Sequence, residues 1–174
     1  MRILGVDPGM TRTGLGLIEV PTSGEPTVIE WLTIETPVGL PLAIRLRELS
    51  KDLESCISDM KPDLAVVEKL FFMTNKKTAM DVSQARGVIL SILSTHGIDV
   101  MEATPLQLKT TVTGDGRADK KQMQTMVRRI LKLKEIPTPA DAADGLALAL
   151  YGAFTMKSSP FLRTRSREHS LRPS

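Results

Sequence analysis

Apolar and polar residues alternate along this chain in blocks that change period, and the changes mark its elements. Ile3, Leu4 and Val6 form a short apolar run over Arg2–Val6, suited to a central strand buried on both faces. Pro8 cannot donate a ladder hydrogen bond and Gly9 admits φ > 0, so the strand is expected to stop at Asp7. Leu15, Leu17 and Ile18 resume the run and predict an antiparallel partner over Gly14–Val20. Residues 21–26 are a turn cluster, and the β-branched stretch Thr27–Thr36 predicts a third strand that completes a meander. The period then lengthens. Positions 42, 46, 49, 53, 56, 57 and 60 are apolar with charges between them, which predicts an amphipathic helix over Leu42–Met60.

Leu64–Phe72 reads as a fourth strand, Asn75–Thr95 as a second long helix and Ile98–Glu102 as a fifth strand. Thr104-Pro105 supplies a cap and a first-turn proline for a short helix ending near Thr113. After a glycine-bearing loop over 114–119, Lys120–Leu133 is again amphipathic. The last helix, over Ile136–Phe154, takes Thr138 as N-cap and Pro139 as first residue, and is apolar nearly all round. Strands on both sides of a helix, followed by helices, predict an α/β fold with a five-stranded mixed sheet flanked by helices.

Four acids break this pattern. Asp7 reads equally well as a turn former in Asp-Pro-Gly or as a functional carboxylate at a strand end. Glu68 shares a strand face with Leu64 and Val66, where an ionised carboxylate is costly unless paired or bound to a cation. Lys69, next in sequence, points to the opposite face and is a poor partner. Asp141 could serve the dipole of the last helix, but Asp144 lies three residues on and shares its face, together with Gly145, Leu148 and Gly152. Carboxylates from three separated segments would repel one another unless cations held them. Oxygen-only ligands favour Mg²⁺ or Mn²⁺, and two such ions about 4 Å apart can activate water against a phosphodiester.

Composition narrows the setting. The apolar share is 41%, and no run suits a membrane helix or a secretory leader. One cysteine, Cys56, leaves no internal disulfide and no cysteine-rich zinc site, so a reducing, cytoplasmic location is expected. The net charge of +3 is uneven. Residues 1–103 carry 10 Lys/Arg against 14 Asp/Glu, and residues 104–174 carry 13 against 6. A basic second half suits a polyanionic partner. One domain is expected over residues 1–156, with a flexible, basic, Ser/Arg/Pro-rich tail over 157–174.

Four stretches recur together in one known family: Gly5-Val-Asp-Pro-Gly9 with Thr13-Gly14, then Val67-Glu-Lys-Leu-Phe-Phe72, Ser83-Gln-Ala-Arg-Gly87, and Asp141-Ala-Ala-Asp-Gly-Leu-Ala147. In this order the chain resembles the RuvC Holliday-junction resolvases of the ribonuclease H-like superfamily, over roughly residues 1–154. The resemblance implies a homodimeric endodeoxyribonuclease that binds a four-way DNA junction and nicks two opposing strands symmetrically with Mg²⁺, in homologous recombination and DNA repair. It implies Asp7, Glu68, Asp141 and Asp144 as catalytic, metal-binding acids, and RuvA and RuvB as a branch-migration motor partner. Phe71 falls at the family's base-stacking aromatic, with Phe72 beside it. Lys109 and Lys120 match basic positions near the scissile phosphate, and Lys76, Lys77, Arg117 and Lys121 extend the expected DNA contacts. The rival resemblance is to YqgF-type RNA-processing nucleases of the same superfamily. The segment from Thr104 to Pro137 and the complete Asp-Ala-Ala-Asp motif favour the first.

Overall fold

The structure is a computed structural model that describes residues 1–69 and 76–158, with side-chain surroundings given for 1–69 and 79–157. The elements in chain order are β1 (Arg2–Asp7), β2 (Arg12–Glu19), β3 (Thr27–Glu35), α1 (Leu42–Met60), β4 (Leu64–Glu68), α2 (Lys76–Thr95), β5 (Asp99–Ala103), α3 (Pro105–Thr113), α4 (Lys120–Ile130) and α5 (Ala140–Ser158). The five strands form one sheet in the order β3-β2-β1-β4-β5. The first three make the antiparallel meander, while β4 runs parallel to β1 and β5 parallel to β4. This is the expected mixed sheet.

Each face of the sheet is covered, which is why β1 is apolar at nearly every position. Leu4 and Val6 point toward α1 and α2, in a core with Leu49, Leu53, Ile57, Ile89 and Leu93. Ile3 points the other way, toward a core built from α3, α4 and α5 with Leu108, Val127, Leu146 and Leu150. Burying side chains of this size stabilises by about 1.5–3 kcal/mol each, so the central strand is held from both sides.

Several boundaries differ from the sequence expectation, for local reasons. β2 starts at Arg12, two residues early, because Arg12 and Thr13 pair with Glu35 and Ile34 of β3. β4 is described to Glu68, and its expected extension to Phe72 lies largely outside the described residues. α4 ends at Ile130 although apolar spacing continues to Leu133. Lys132 adopts a left-handed φ of 53° that turns the chain, and Leu131 and Leu133 still pack on the core. α5 begins at Ala140, so Pro139 takes the place expected for Thr138 at the helix start. The Pro139 carbonyl accepts from Ala142 N at 3.1 Å, and the Thr138 carbonyl accepts from Trp31 Nε1 at 3.3 Å. At its other end α5 runs to Ser158, and the expected tail beyond that lies outside the described residues. No described helix is long and apolar enough to cross a membrane.

Candidate active site

β1 delivers Asp7 to the C-terminal end of the parallel strands, and the turn after it is fastened from α1. Arg45 donates through Nη2 to the Met10 carbonyl at 3.0 Å and to Thr11 Oγ1 at 3.1 Å. The Thr36 hydroxyl also donates to the Met10 carbonyl, and Thr13 Oγ1 donates to the Gly9 carbonyl at 2.9 Å. β4 lies beside β1 and ends at Glu68, so the two carboxylates stand side by side. Alternation puts Glu68 on the face of Leu64 and Val66, which is the face α5 covers.

α5 brings the other two acids, and it does so by backbone contact. A Cβ on Gly14 would fall 1.9 Å from the Asp141 carbonyl oxygen, and one on Gly5 would fall 1.9 Å from the Gly145 carbonyl oxygen. Only hydrogen at these strand positions lets the helix backbone lie on the sheet. Asp141 and Asp144, one turn apart, then both face Asp7.

The result is a compact cluster. Asp7, Asp141 and Asp144 each offer an oxygen, and the three oxygens lie within 4.8 Å of one another. Glu68 lines the same cleft of about 230 Å³, together with Asp7, Asp144, Lys109 and Lys120, against an apolar wall of Leu108, Met123 and Leu148. Lys120 Nζ donates to Asp144 Oδ2 at 2.9 Å. Burial pushes the Asp7 carboxyl well above its ordinary range, helped by the charges of Glu68, Asp144 and Asp141 and opposed by Lys120. Burial, then the charge of Asp144, raises Glu68, which accepts a hydrogen bond from the Asp7 carboxyl. Burial raises Asp144 too, against the pull of Lys120. The hydrogen bond to Asp144 in turn raises Lys120.

Four acids against one paired ammonium leave the cluster short of positive charge. Hard oxygen donors that resist ionising together fit a divalent cation.

A pH experiment separates this electrostatic strain from ordinary packing. Asp7 holds its proton more tightly folded than unfolded, so its contribution to stability is complete below the usual carboxylate range. It is lost as pH rises through the raised folded value. An asparagine side chain at this position cannot ionise. In a chelating buffer, Asp7→Asn is therefore expected to melt above the wild type at pH 8, with the gap closing toward pH 5. A gap that stayed constant across that range in thermal melts would remove the charge from the explanation.

The remaining residues predicted from sequence divide by location. Lys109 and Lys120 reach the cleft. Lys121, next along α4, instead lines a separate hollow of about 410 Å³ with Thr113, Asp115 and Gln122, because consecutive helical residues diverge by about 100°. Arg117 is exposed on the loop between α3 and α4. Phe71 and Phe72, and the side chains of Lys76 and Lys77, lie outside the described residues. Sequence reasoning gave Arg45 no role, and it quoted Gly5, Gly14 and Arg86 only as parts of motifs. Their partners belong to other elements, so neither periodicity nor spacing exposes them.

Comparison with known proteins places this geometry. The profile of the family described as "Crossover junction endodeoxyribonuclease RuvC" matches residues 3–151. A crossover junction endodeoxyribonuclease RuvC from Caldicellulosiruptor saccharolyticus is 47% identical over 150 residues, covering 86% of this chain and 90% of the relative. One from Chloroflexus aurantiacus is 47% identical over 155 residues, covering 89% and 94%. Among solved structures, Thermus thermophilus RuvC in complex with a Holliday junction substrate superposes with a TM-score of 0.85. Its sequence identity is 32%, covering 91% of this chain and 96% of that one.

Proposed function

This chain belongs to the RuvC family of crossover junction endodeoxyribonucleases, and from that premise we propose that it resolves four-way (Holliday) DNA junctions by paired, symmetric nicks with Mg²⁺. The observation that carries the reading is the tight cluster of Asp7, Asp141 and Asp144 at an open cleft that Glu68 and two lysines also line. The role served is homologous recombination and DNA repair.

In this reading the four carboxylates hold Mg²⁺, with Mn²⁺ as a substitute. Held there, the ion would supply Lewis acidity, making water a stronger nucleophile at neutral pH and offsetting charge on the scissile phosphodiester. Lys120 neutralises part of the acid cluster through Asp144 and, as a lining residue of the cleft, would meet a phosphate that enters it. Lys109, half-buried in the same cleft, holds the backbone without reading sequence. Phe71 and Phe72 supply stacking surfaces for junction bases, while Lys76, Lys77, Arg117 and Lys121 extend the phosphate contacts. Symmetric nicking of two opposing strands calls for two sites, so the working unit is a homodimer acting in the cytoplasm. RuvA and RuvB are its proposed branch-migration partners. The proposed nuclease domain runs through α5 to Ser158, past the expected boundary at 156, and the basic stretch that follows in the sequence is its proposed tail.

The test is cleavage of a synthetic four-way junction by the full chain. With Mg²⁺, paired nicks are expected in opposing strands, with linear duplex left largely intact. Equal cutting of RNA would favour a YqgF-type RNA-processing nuclease instead. Junction affinity should fall by orders of magnitude between about 50 and 200 mM salt if several phosphates are contacted. A flat salt response would count against the lysine assignments.

A further inference from the structure

Arg86 is a half-buried arginine on α2, on the side of the sheet opposite the acid cluster, and it makes two directed contacts. Nε donates to the backbone carbonyl of Glu68 at 3.1 Å, and Nη2 pairs with Glu102 Oε2 at 2.8 Å. The register of the sheet explains why the first contact matters. Gly5 of β1 is paired with Val66 of β4, and the recorded pairing stops at Val6 with Val67. Continued by one residue, that register sets Glu68 opposite Asp7.

Lys69 N donates to the Ala103 carbonyl at 2.8 Å, so residue 69 points its backbone groups toward β5 and residue 68 points its own toward β1. In a parallel ladder the Glu68 carbonyl would then accept from the N–H of residue 8. Residue 8 is Pro8, which has none. The proline that stops β1 at Asp7 thus removes the donor that would have held the end of β4. Arg86 Nε takes its place.

We infer that Arg86, anchored by Glu102, is the positioning residue for Glu68, restoring the ladder donor that Pro8 lacks so that the Glu68 carboxylate is presented to the metal site. This rests on the proposed reading of Glu68 as a metal-binding acid. Arg86 itself acts through the strand backbone from behind the sheet. Glu102 lies two residues from Val100 on the α2 face of β5, where its carboxylate fixes the guanidinium by a charged, directional contact. Lysine is a poor replacement, because one ammonium cannot reproduce two separated donors of a planar fork.

The deciding measurement is Mg²⁺ affinity of the full chain without DNA, by calorimetry, followed by the Mg²⁺ dependence of junction cleavage. Groups that orient a metal ligand typically change affinity or activity by about 10–100-fold when removed. Arg86→Met is expected to weaken Mg²⁺ binding about tenfold and to raise the half-saturating Mg²⁺ for cleavage by a similar factor. Junction affinity in a chelating buffer should stay unchanged. Glu102→Gln should shift Mg²⁺ affinity in the same direction by less, and Arg86→Lys should fall between wild type and Arg86→Met.

A role confined to packing would lower the melting temperature and leave Mg²⁺ affinity alone, and that result overturns the inference. If Arg86→Met does not fold, Arg86→Lys and Glu102→Gln decide on the same readout. Glu68→Gln runs beside them. If it binds Mg²⁺ and cuts like the wild type, the metal-site reading itself fails. If it is inactive while the Arg86 variants match wild type, only the positioning role fails.

Discussion

Replacing Asp7 by asparagine is expected to lower junction cleavage by at least about a thousandfold, or ~4 kcal/mol at about 1.36 kcal/mol per decade of rate, while junction binding persists. The side chains are nearly isosteric and the turn after Asp7 is fastened by Arg45, Thr36 and Thr13, so the fold has no reason to change. What changes is a charged donor at the middle of the cluster. Asp7 interacts electrostatically with each of Glu68, Asp141 and Asp144. Binding, by contrast, comes from phosphate contacts to lysines, and removing a negative charge from a cleft that receives a polyanion does not weaken it. Filter binding and denaturing-gel cleavage on the same preparation measure both. Cutting at the normal rate by Asp7→Asn would falsify the metal-site assignment outright.

Gly14→Ala is expected to inactivate the protein by a different route, with no functional group removed. Its new Cβ would fall 1.9 Å from the Asp141 carbonyl oxygen, 2.4 Å from the Asp141 carbonyl carbon and 3.1 Å from Ala142 N. All three are backbone atoms of the first turn of α5, so no side chain can swing aside and the helix itself must move. Overpacking of this kind costs about 1–3 kcal/mol in stability. A displacement of about 1 Å at a reacting group can cost on the order of a hundredfold in rate. Gly14→Ala should therefore lower the melting temperature and, where still folded, cut kcat about a hundredfold at saturating Mg²⁺. Gly87→Ala is the contrast. It sits in α2 with nothing within 4 Å of its added Cβ, and should be neutral or stabilising by about 0.5–1 kcal/mol. Equal melting temperatures for Gly14→Ala and wild type would mean that the helix–sheet contact is softer than the geometry states.

What the chain made legible in advance followed from how local each instruction was. α1 is bounded by Pro41 and by Lys61-Pro62, and α3 by the Thr104 cap and Gly114. Both helices appear at their expected limits because those residues act on their own neighbours. The acids stood out for a related reason, since a carboxylate inside an apolar alternation contradicts its immediate surroundings. The end of α4 was misjudged because Leu131 and Leu133 keep helical spacing while packing from a turn. The start of α5 slipped because Thr138-Pro139 has the composition of a cap but serves Trp31 through its carbonyl.

Least legible were the partnerships across elements: Gly14 with Asp141, Lys120 with Asp144, Arg45 with the Met10 turn, and Arg86 with Glu68 and Glu102. Each joins residues far apart in the chain, and nothing at either end of the pair announces the other. Such contacts exist only once the sheet has formed.

The placement of two acids on α5 has a consequence for the chain during its own synthesis. Asp7 and Glu68 are made early, but the helix that completes the cluster also covers one face of β1 and β2, and it emerges from the ribosome last among the described elements. A nascent or prematurely terminated chain lacking α5 would carry only two of the four acids and leave one face of the sheet uncovered, so on the proposed reading it is expected to fold poorly and to lack a complete metal site. On the proposed reading, cutting ability and structural completeness would arrive with the same helix, and a defective copy of a potentially genome-damaging enzyme would be disarmed by its own incompleteness.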